Sequence, residues 1–347
     1  MTGGPLVGVR VVELAGLGPP VHVGMIMADL GAEVLRIERP GAADSGVLTH
    51  LLRGRTRCTI DIKSAEGPAA VLAQVAVADI LVEGFRPGVT ERLGIGPVDC
   101  ARVNPGLIYV RVTGWGQDGP RASQAGHDIN YIGLTGVLHA IGRAGGRPVP
   151  PLNIVGDFGG GSMLAVIGAL AALHERAGTG RGQVVDAAIV DGVSLLAQMQ
   201  FQYLQEGRWS LLRGANRLDG GAPYYDTYRC SDGRYVAVGA LEDTFWGRLL
   251  DGLGIEPTRW PDRADPARWP EIRRVLTELF AQRPRDDWDE IFASLDACVT
   301  PVLSFTESAA DRHLKARGTL TPTASGFEAA AAPRIGPLGS PQNDRIR

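Results

Sequence analysis

The chain predicts an α/β protein: a large domain on a doubly wound parallel sheet, followed by a smaller α+β domain. Three observations carry this. Short apolar runs alternate with helix-spaced apolar residues through the first two hundred residues. Glycine turns and basic residues recur just after those runs, at the edge where open α/β sheets bind ligands. Beyond Arg213 the pattern changes to aromatic-rich alternation around tight turns, the mark of antiparallel strands. A chain of 347 residues is long enough for two domains. We place the large one at 1–212, with 307–347 returning to it, and the linker and small domain at 213–306.

Taken in order, Leu6 to Leu14 reads as a buried strand through Val7, Val9, Val11, Val12 and Leu14. Gly16 to Pro20 is a loop, and Val21 to Leu30 has helical spacing through Val23, Ile26, Met27 and Leu30. Ala32 to Ile37 is a second strand, completing a βαβ unit. Cys58 to Ile62 and Ala78 to Glu83 read as strands around a helix from Glu66 to Val77. Gly84 to Gly88 is a tight turn before a short helix at Val89 to Leu93. Leu107 to Val112 is a strong strand leading into Thr113-Gly114-Trp115-Gly116.

Ser162 to Arg176 reads as a helix apolar all round, hence buried. Gln183 to Ala188 is a strand, and Val190 to Tyr203 one long helix. In the small domain, Tyr224 to Tyr228 and Tyr235 to Val238 flank the turn Ser231-Asp232-Gly233. Helices follow at Thr244 to Leu253, Trp269 to Ala281 and Arg285 to Leu295. From Gly318 the chain is rich in Pro, Ala and Gly and is expected to run back over the first domain.

Composition excludes several classes of function. The net charge is -3, so no basic excess points to nucleic acid or an anionic membrane. Cys58, Cys100, Cys230 and Cys298 are scattered, with neither disulfide framework nor metal-ligand spacing, which suggests free thiols in a reducing compartment. Arg10, Glu13 and Pro19-Pro20 rule out a signal peptide. The apolar stretch Met163 to Leu173 falls short of the ~20 residues that cross a bilayer. A soluble cytoplasmic protein is expected. GxGxxG and GxxxxGK[ST] are both missing, so neither a dinucleotide nor a P-loop nucleotide is expected.

Two loops suit acid/base chemistry. Gly126-His127-Asp128-Ile129-Asn130-Tyr131 sets a histidine beside a carboxylate, and histidine titrates near neutrality. Gly156-Asp157-Phe158-Gly159-Gly160-Gly161 sets a lone carboxylate on a glycine-rich turn opening an apolar helix. Free N–H groups at such a helix start are suited to an oxyanion. The plainer alternatives are an N-cap aspartate, worth ~1 kcal/mol, and a structural histidine oriented by Asp128 and Asn130. Three glycines in the first turn exceed what a cap requires. Arg36, Arg39, Arg53, Arg55, Arg57, Lys63, Arg86 and Arg92 follow strands, and their recurrence there suggests a phosphate-bearing ligand.

On these residues the chain resembles the family III CoA-transferases. The match is carried by Leu6 to Leu14, Asp29 to Val34, Gly84-Phe85-Arg86-Pro87-Gly88, Thr113 to Gly116, Gly126 to Tyr131, Gly156-Asp157, Gly180 to Asp186 and Asp219 to Tyr225. It runs to about Val302 and is poor after Gly318. Within the family it resembles the racemases. They carry histidine where His127 stands; formyl- and carnitine-type transferases usually carry an aromatic there. The glycine-rich loop usual in the transferases' small domain is missing around Gly254 to Asp265. One departure is Gly18-Pro19-Pro20-Val21, where the family often has Gly-Pro-Gly-Pro or Gly-Pro-Ala-Pro.

The resemblance implies racemisation at C2 of 2-methylacyl-CoA thioesters, with His127 and Asp157 as the two proton-transfer groups and Glu242 as acidic partner of His127. It implies a CoA site at Arg39, Ile60, Asp61, Ile62, Lys63, Gly84, Phe85, Arg86, Arg92 and Gly126 to Tyr131, the last stretch including Asp128, Ile129 and Asn130. It implies an interlocked homodimer in which Glu242 reaches His127 of the other chain. No metal or redox cofactor is implied; CoA enters as part of the substrate. CoA transfer to a carboxylic acid, with Asp157 as nucleophile, is the alternative.

Overall fold

The computed structural model describes residues 3–41, 49–256 and 261–337. Part of the Gly254 to Asp265 reading and the end of the C-terminal tail fall outside the described residues. The described parts of 1–137, 151–198 and 321–347 form one compact unit, and those of 138–150 and 199–320 another.

The first unit is an all-parallel sheet of β1 (Arg10–Leu14), β2 (Glu33–Glu38), β3 (Arg55–Thr59), β4 (Ile80–Glu83), β5 (Ile108–Thr113) and β6 (Gln183–Ala188), in the order β3-β2-β1-β4-β5-β6. The apolar runs are continuous because both faces are covered. Val11, Ile80, Val82, Ile108 and Val110 point to one layer, with Val23, Met27, Ala165 and Ala169. Val12, Leu81 and Tyr109 point to the other, with Val71, Val75 and Ile95. The period of two along each strand splits one hydrophobic string between two cores.

The helices begin where the sequence permits. Pro19 and Pro20 occupy the first turn of α1 (Pro19–Asp29), Pro68 that of α2 (Gly67–Val75), and Pro97 that of α4 (Pro97–Val103); α3 is the single turn Val89–Arg92. Proline fits there because its missing N–H has no intrahelical partner to lose. After α5 (Asp128–Leu134) and the short α6 (Val137–Ala140), a helical stretch runs from Leu152 into α7 (Leu164–Thr179), which stops at Gly180 in the left-handed conformation. Its portion Val155–Met163 is wound wide, with π-type turns.

Several expectations need correction. The strand expected at Cys58 to Ile62 lies at Arg55–Thr59, because Arg55 to Thr59 pair with Val34 to Glu38. Beyond them Asp61 starts a turn by accepting the Lys63 N–H. The helix expected over Val190 to Tyr203 is two, α8 (Ile189–Leu196) and α9 (Gln198–Gln205), because Ala197 leaves helical geometry. The helix expected at Ser162 to Arg176 is not buried all round: Met163 is 47% and Ile167 58% exposed. The stretch judged too short for a bilayer is part of the continuous helix Leu152–Thr179, which is long and apolar enough by length and composition to cross one. Ala165, Val166, Ala169 and Ala172 nevertheless pack into the sheet's core.

The second unit holds an antiparallel sheet of β7 (Tyr225–Arg229), β8 (Tyr235–Gly239) and β9 (Val299–Val302), the last not expected from sequence. α10 (Asp243–Gly252), α11 (Trp269–Phe280) and α12 (Arg285–Phe292) follow the expected helices closely. Val236, Val238, Ile272, Leu276, Phe280 and Trp288 make its core.

α8 packs closely against the wide helical segment, backbone against backbone at Gly192 and Gly160. A Cβ on Gly192 would lie 1.9 Å from the Gly160 carbonyl oxygen, so no residue with a side chain fits there without a backbone shift. Gly192→Ala is expected to cost about 1–3 kcal/mol, the scale of overpacking, as a lowered urea midpoint with unchanged slope.

Candidate functional site

Because the sheet is parallel, every strand delivers its following loop to one edge. The order of strands reverses between β1 and β4, which opens a crevice there. The turn after β4 touches the start of α1: a Cβ on Gly84 would lie 2.4 Å from Pro20 Cγ. Only glycine lets the turn after β4 pass so close to the start of α1.

The loop after β5 brings in the first proton-transfer candidate. His127 is the N-cap of α5, its N–H held by Asn130 Oδ1 at 3.0 Å. The preceding Gly126 carbonyl accepts the Tyr131 hydroxyl at 2.5 Å. The Tyr131 ring lies over Gly114 and meets Trp115 edge-on, with centroids 4.8 Å apart. Thr113-Gly114-Trp115-Gly116 is therefore a seat for Tyr131, and Tyr131 ties down the residue before His127. The imidazole is exposed and the adjacent Asp128 is buried.

Asp128 reaches the second candidate. Its Oδ1 accepts the backbone N–H of Asp157 at 2.8 Å. A Cβ on Gly156 would sit 2.3 Å from that oxygen, so glycine is required before Asp157. The bond thus joins the loop that carries His127 to the helical stretch that carries Asp157; the positions are 30 residues apart in sequence.

The expectation of free N–H donors at Asp157 is not met. Its own N–H is engaged, and the residue lies within a helical stretch begun at Leu152 rather than at a free N-terminus. The same geometry removes the N-cap reading.

Asp157 is half-buried, and burial raises its pKa above the ordinary carboxylate value. The hydrogen bond from Asn153 Nδ2, at 3.3 Å, and the nearby His127 pull it down, while Asp128 pushes it up. Tyr131 is raised by burial and by Asp157, and lowered by Arg86. Arg86 and Asp157 therefore act on one hydroxyl in opposite directions.

The basic residues divide into two sets. Arg36 pairs with Glu13 and Glu38, Arg53 with Asp29, Arg55 with Glu13 and Arg57 with Glu38. These are committed to the scaffold. Arg39, Lys63, Arg86 and Arg92 are exposed and make no ion pair with the described residues. They follow β2, β3 and β4, alongside half-buried Ile60, Ile62 and Phe85 and exposed Asp61 and Gly84. Ile129 and Asn130 are exposed on the first turn of α5. Glu242 belongs to the second unit, where it is the N-cap of α10.

CoA-transferase family III matches residues 6–345. The chain belongs to that family. It is 44% identical to the alpha-methylacyl-CoA racemase of Mus musculus over 95% of this chain and 85% of that protein. It is 42% identical to that of Homo sapiens over 96% and 86%. The crystal structure of a CaiB/BaiF family protein from Brucella suis superposes with a TM-score of 0.82 at 29% identity, covering 96% of this chain and 93% of that one.

In this family III member, sequence reasoning missed several residues around Asp157. Gly18 faces its carboxylate, with Oδ2 3.8 Å from where a Cβ would stand. His22 Nδ1 lies 2.6 Å from Ser162 Oγ, and its ring packs on Phe158 with centroids 4.7 Å apart. His22 titrates below the ordinary range, first through burial and then through Arg53 and Arg55. Its place just after the β1 loop was the available signal; the contact to Ser162, 140 residues away, left none.

Asp128→Asn keeps an oxygen for the Asp157 N–H and removes a charge that raises the Asp157 pKa. The Asp157 pKa is expected to fall toward the usual carboxylate value in a side-chain 13C NMR titration. An unchanged or higher value contradicts the coupling.

Proposed function

We propose that this chain racemises C2 of 2-methylacyl-CoA thioesters by 1,1-proton transfer between two bases, His127 and Asp157. The observation that carries the reading is the hydrogen bond from the Asp157 N–H to Asp128, which joins the two loops at the switch-point edge. The similarity to the mouse and human racemases supports the same reading.

A thioester acidifies the hydrogens on its α-carbon. A neutral imidazole removes the C2 proton from one face, leaving an enolate, and a protonated Asp157 returns one to the other. The reverse direction uses the Asp157 carboxylate as base and imidazolium as acid. One proton is thus shared by the pair in either working form. Asp157 suits this because burial makes its protonated form more accessible, and a catalytic group works best with its pKa near the working pH. Arg39, Lys63, Arg86 and Arg92 would hold the CoA phosphates, with Ile60 to Lys63 and the Gly84 turn alongside. The chemistry asks for no redox group, and CoA arrives with the substrate.

The reading includes a second copy of the chain, interlocked with the first, whose Glu242 would serve His127. Exposed apolar side chains in the first unit support such a partner: Leu152 at 59%, Ile154 at 55%, Ile167 at 58%, Leu195 at 60% and Leu196 at 54% exposure. Four free thiols support a reducing, cytoplasmic setting.

With a single enantiomer of a 2-methylacyl-CoA in D₂O, the protein is expected to exchange the C2 hydrogen and erode the enantiomeric excess. His127→Ala and Asp157→Ala are each expected to lose ~10²–10⁴-fold of that rate while keeping the circular dichroism of the parent. Full activity in either variant defeats the two-base assignment. If an added carboxylic acid yields a new acyl-CoA and C2 does not exchange, Asp157 is instead the nucleophile of a CoA transferase. A bell-shaped kcat/KM is also expected, its acid limb above pH ~4, the ordinary carboxylate range; a limb at or below that range contradicts the raised Asp157.

A further inference from the structure

Arg111 is a buried arginine of β5 that touches no site residue directly. It stands opposite Glu83 in the register of β4 and β5. Its Nε donates to Glu83 Oε1 at 3.0 Å. Its two terminal nitrogens donate to the two oxygens of Glu91, at 2.8 and 3.3 Å. One guanidinium therefore occupies two carboxylates at once, all five donors being fixed in a planar fork.

Each carboxylate lies within three residues of an uncommitted arginine. The other oxygen of Glu83 accepts the Phe85 N–H at 2.6 Å, fixing the turn that presents Arg86. Glu91 lies on α3 immediately before Arg92. Glu83 is fully buried, and burial raises its pKa to about 6 although Phe85 and Arg111 pull it down. A charge so placed is kept only by a partner that stays put. If Arg111 were lost, Glu83 and Glu91 would face no cation from β5. Arg86 and Arg92 are the nearest unpaired cations in sequence, and pairing with either carboxylate would withdraw them from the crevice.

We propose that Arg111 is a positioning residue for phosphate recognition: by engaging Glu83 and Glu91 it leaves Arg86 and Arg92 free for the phosphates of the CoA thioester, and it fixes the turn and helix that bear them. The inference rests on the CoA-thioester reading above. It assigns to Arg111 no contact with substrate and no proton transfer.

The test compares two substrates in the full-length protein: a 2-methylacyl-CoA and the same acyl group on pantetheine, which has no phosphates. The parent is expected to favour the CoA thioester in kcat/KM; equal use of both would remove the CoA reading itself. In Arg111→Met, KM for the CoA thioester is expected to rise ~10–100-fold, the scale of one lost charge-assisted hydrogen bond. Its kcat, and kcat/KM on the pantetheine thioester, are expected to hold within about twofold, experimental scatter on the scale of RT ln 2. Arg111→Lys, which keeps the charge but not the fork, is expected to fall between and carries the test if the Met variant does not fold. Equal losses on both substrates, or an unchanged preference for CoA, would overturn the proposal while leaving the parent's CoA selectivity intact.

Discussion

The hydrogen bond between the Asp157 backbone N–H and the Asp128 carboxylate is the constraint on which the site depends. It links main chain to side chain, so it fixes where the Asp157 backbone lies without engaging the carboxyl that would do chemistry. It is partly buried, its acceptor Asp128 buried and Asp157 half-buried, where an unsatisfied N–H or carboxylate is costly, and so both segments are held to it. The requirement spreads outward. Gly156 must lack a side chain, α5 must begin at His127 for Asp128 to point inward, and Tyr131 one turn later must close on Gly126. The histidine needs no direct bond to the second loop, because its neighbour makes one.

Electrostatics in the first unit follows the same economy. Carboxylates buried beneath the sheet's edge are each assigned a guanidinium: Glu13 with Arg36 and Arg55, Glu38 with Arg36 and Arg57, Glu83 with Arg111. Burial raises the Glu13 pKa even against its two arginines. Arg39, Lys63, Arg86 and Arg92 stand beyond the strands, in loops and on α3, exposed to water. The protein thereby separates arginines that hold it together from cations left exposed, though both kinds follow strands in the sequence.

That separation explains what the sequence could reveal. β1, β2, β4, β5 and β6 were legible because continuous apolar runs belong to strands covered on both faces, and the order of helices between them forced a parallel sheet. β3 was placed three residues late. Arg55 and Arg57 look like loop residues, but within the strand they pair with Glu13 and Glu38. β9 was missed because Val299 to Val302 is four residues long and includes Pro301, so its identity comes from pairing with β8. His127 and Asp157 were legible as isolated chemistry among glycines. The bond that joins them was not, since nothing in the string of residues says that Asp128 meets position 157. The polar groups around Asp157, namely Asn153, His22 and Ser162, were hidden for the same reason.

The wide winding of Val155–Met163 has a consequence of its own. A π-type turn holds one residue more than the α-turn it replaces, and each residue of an α-helix advances the direction of its side chain by roughly 100°. The azimuth of Asp157 is therefore offset from the stripe of Ala165, Ala169 and Ala172 that anchors α7 in the core. One helix can then satisfy two unrelated neighbours, a sheet on its later turns and the switch-point crevice on its earlier ones. Removal of a single residue between them would turn the carboxylate by roughly 100° relative to that stripe.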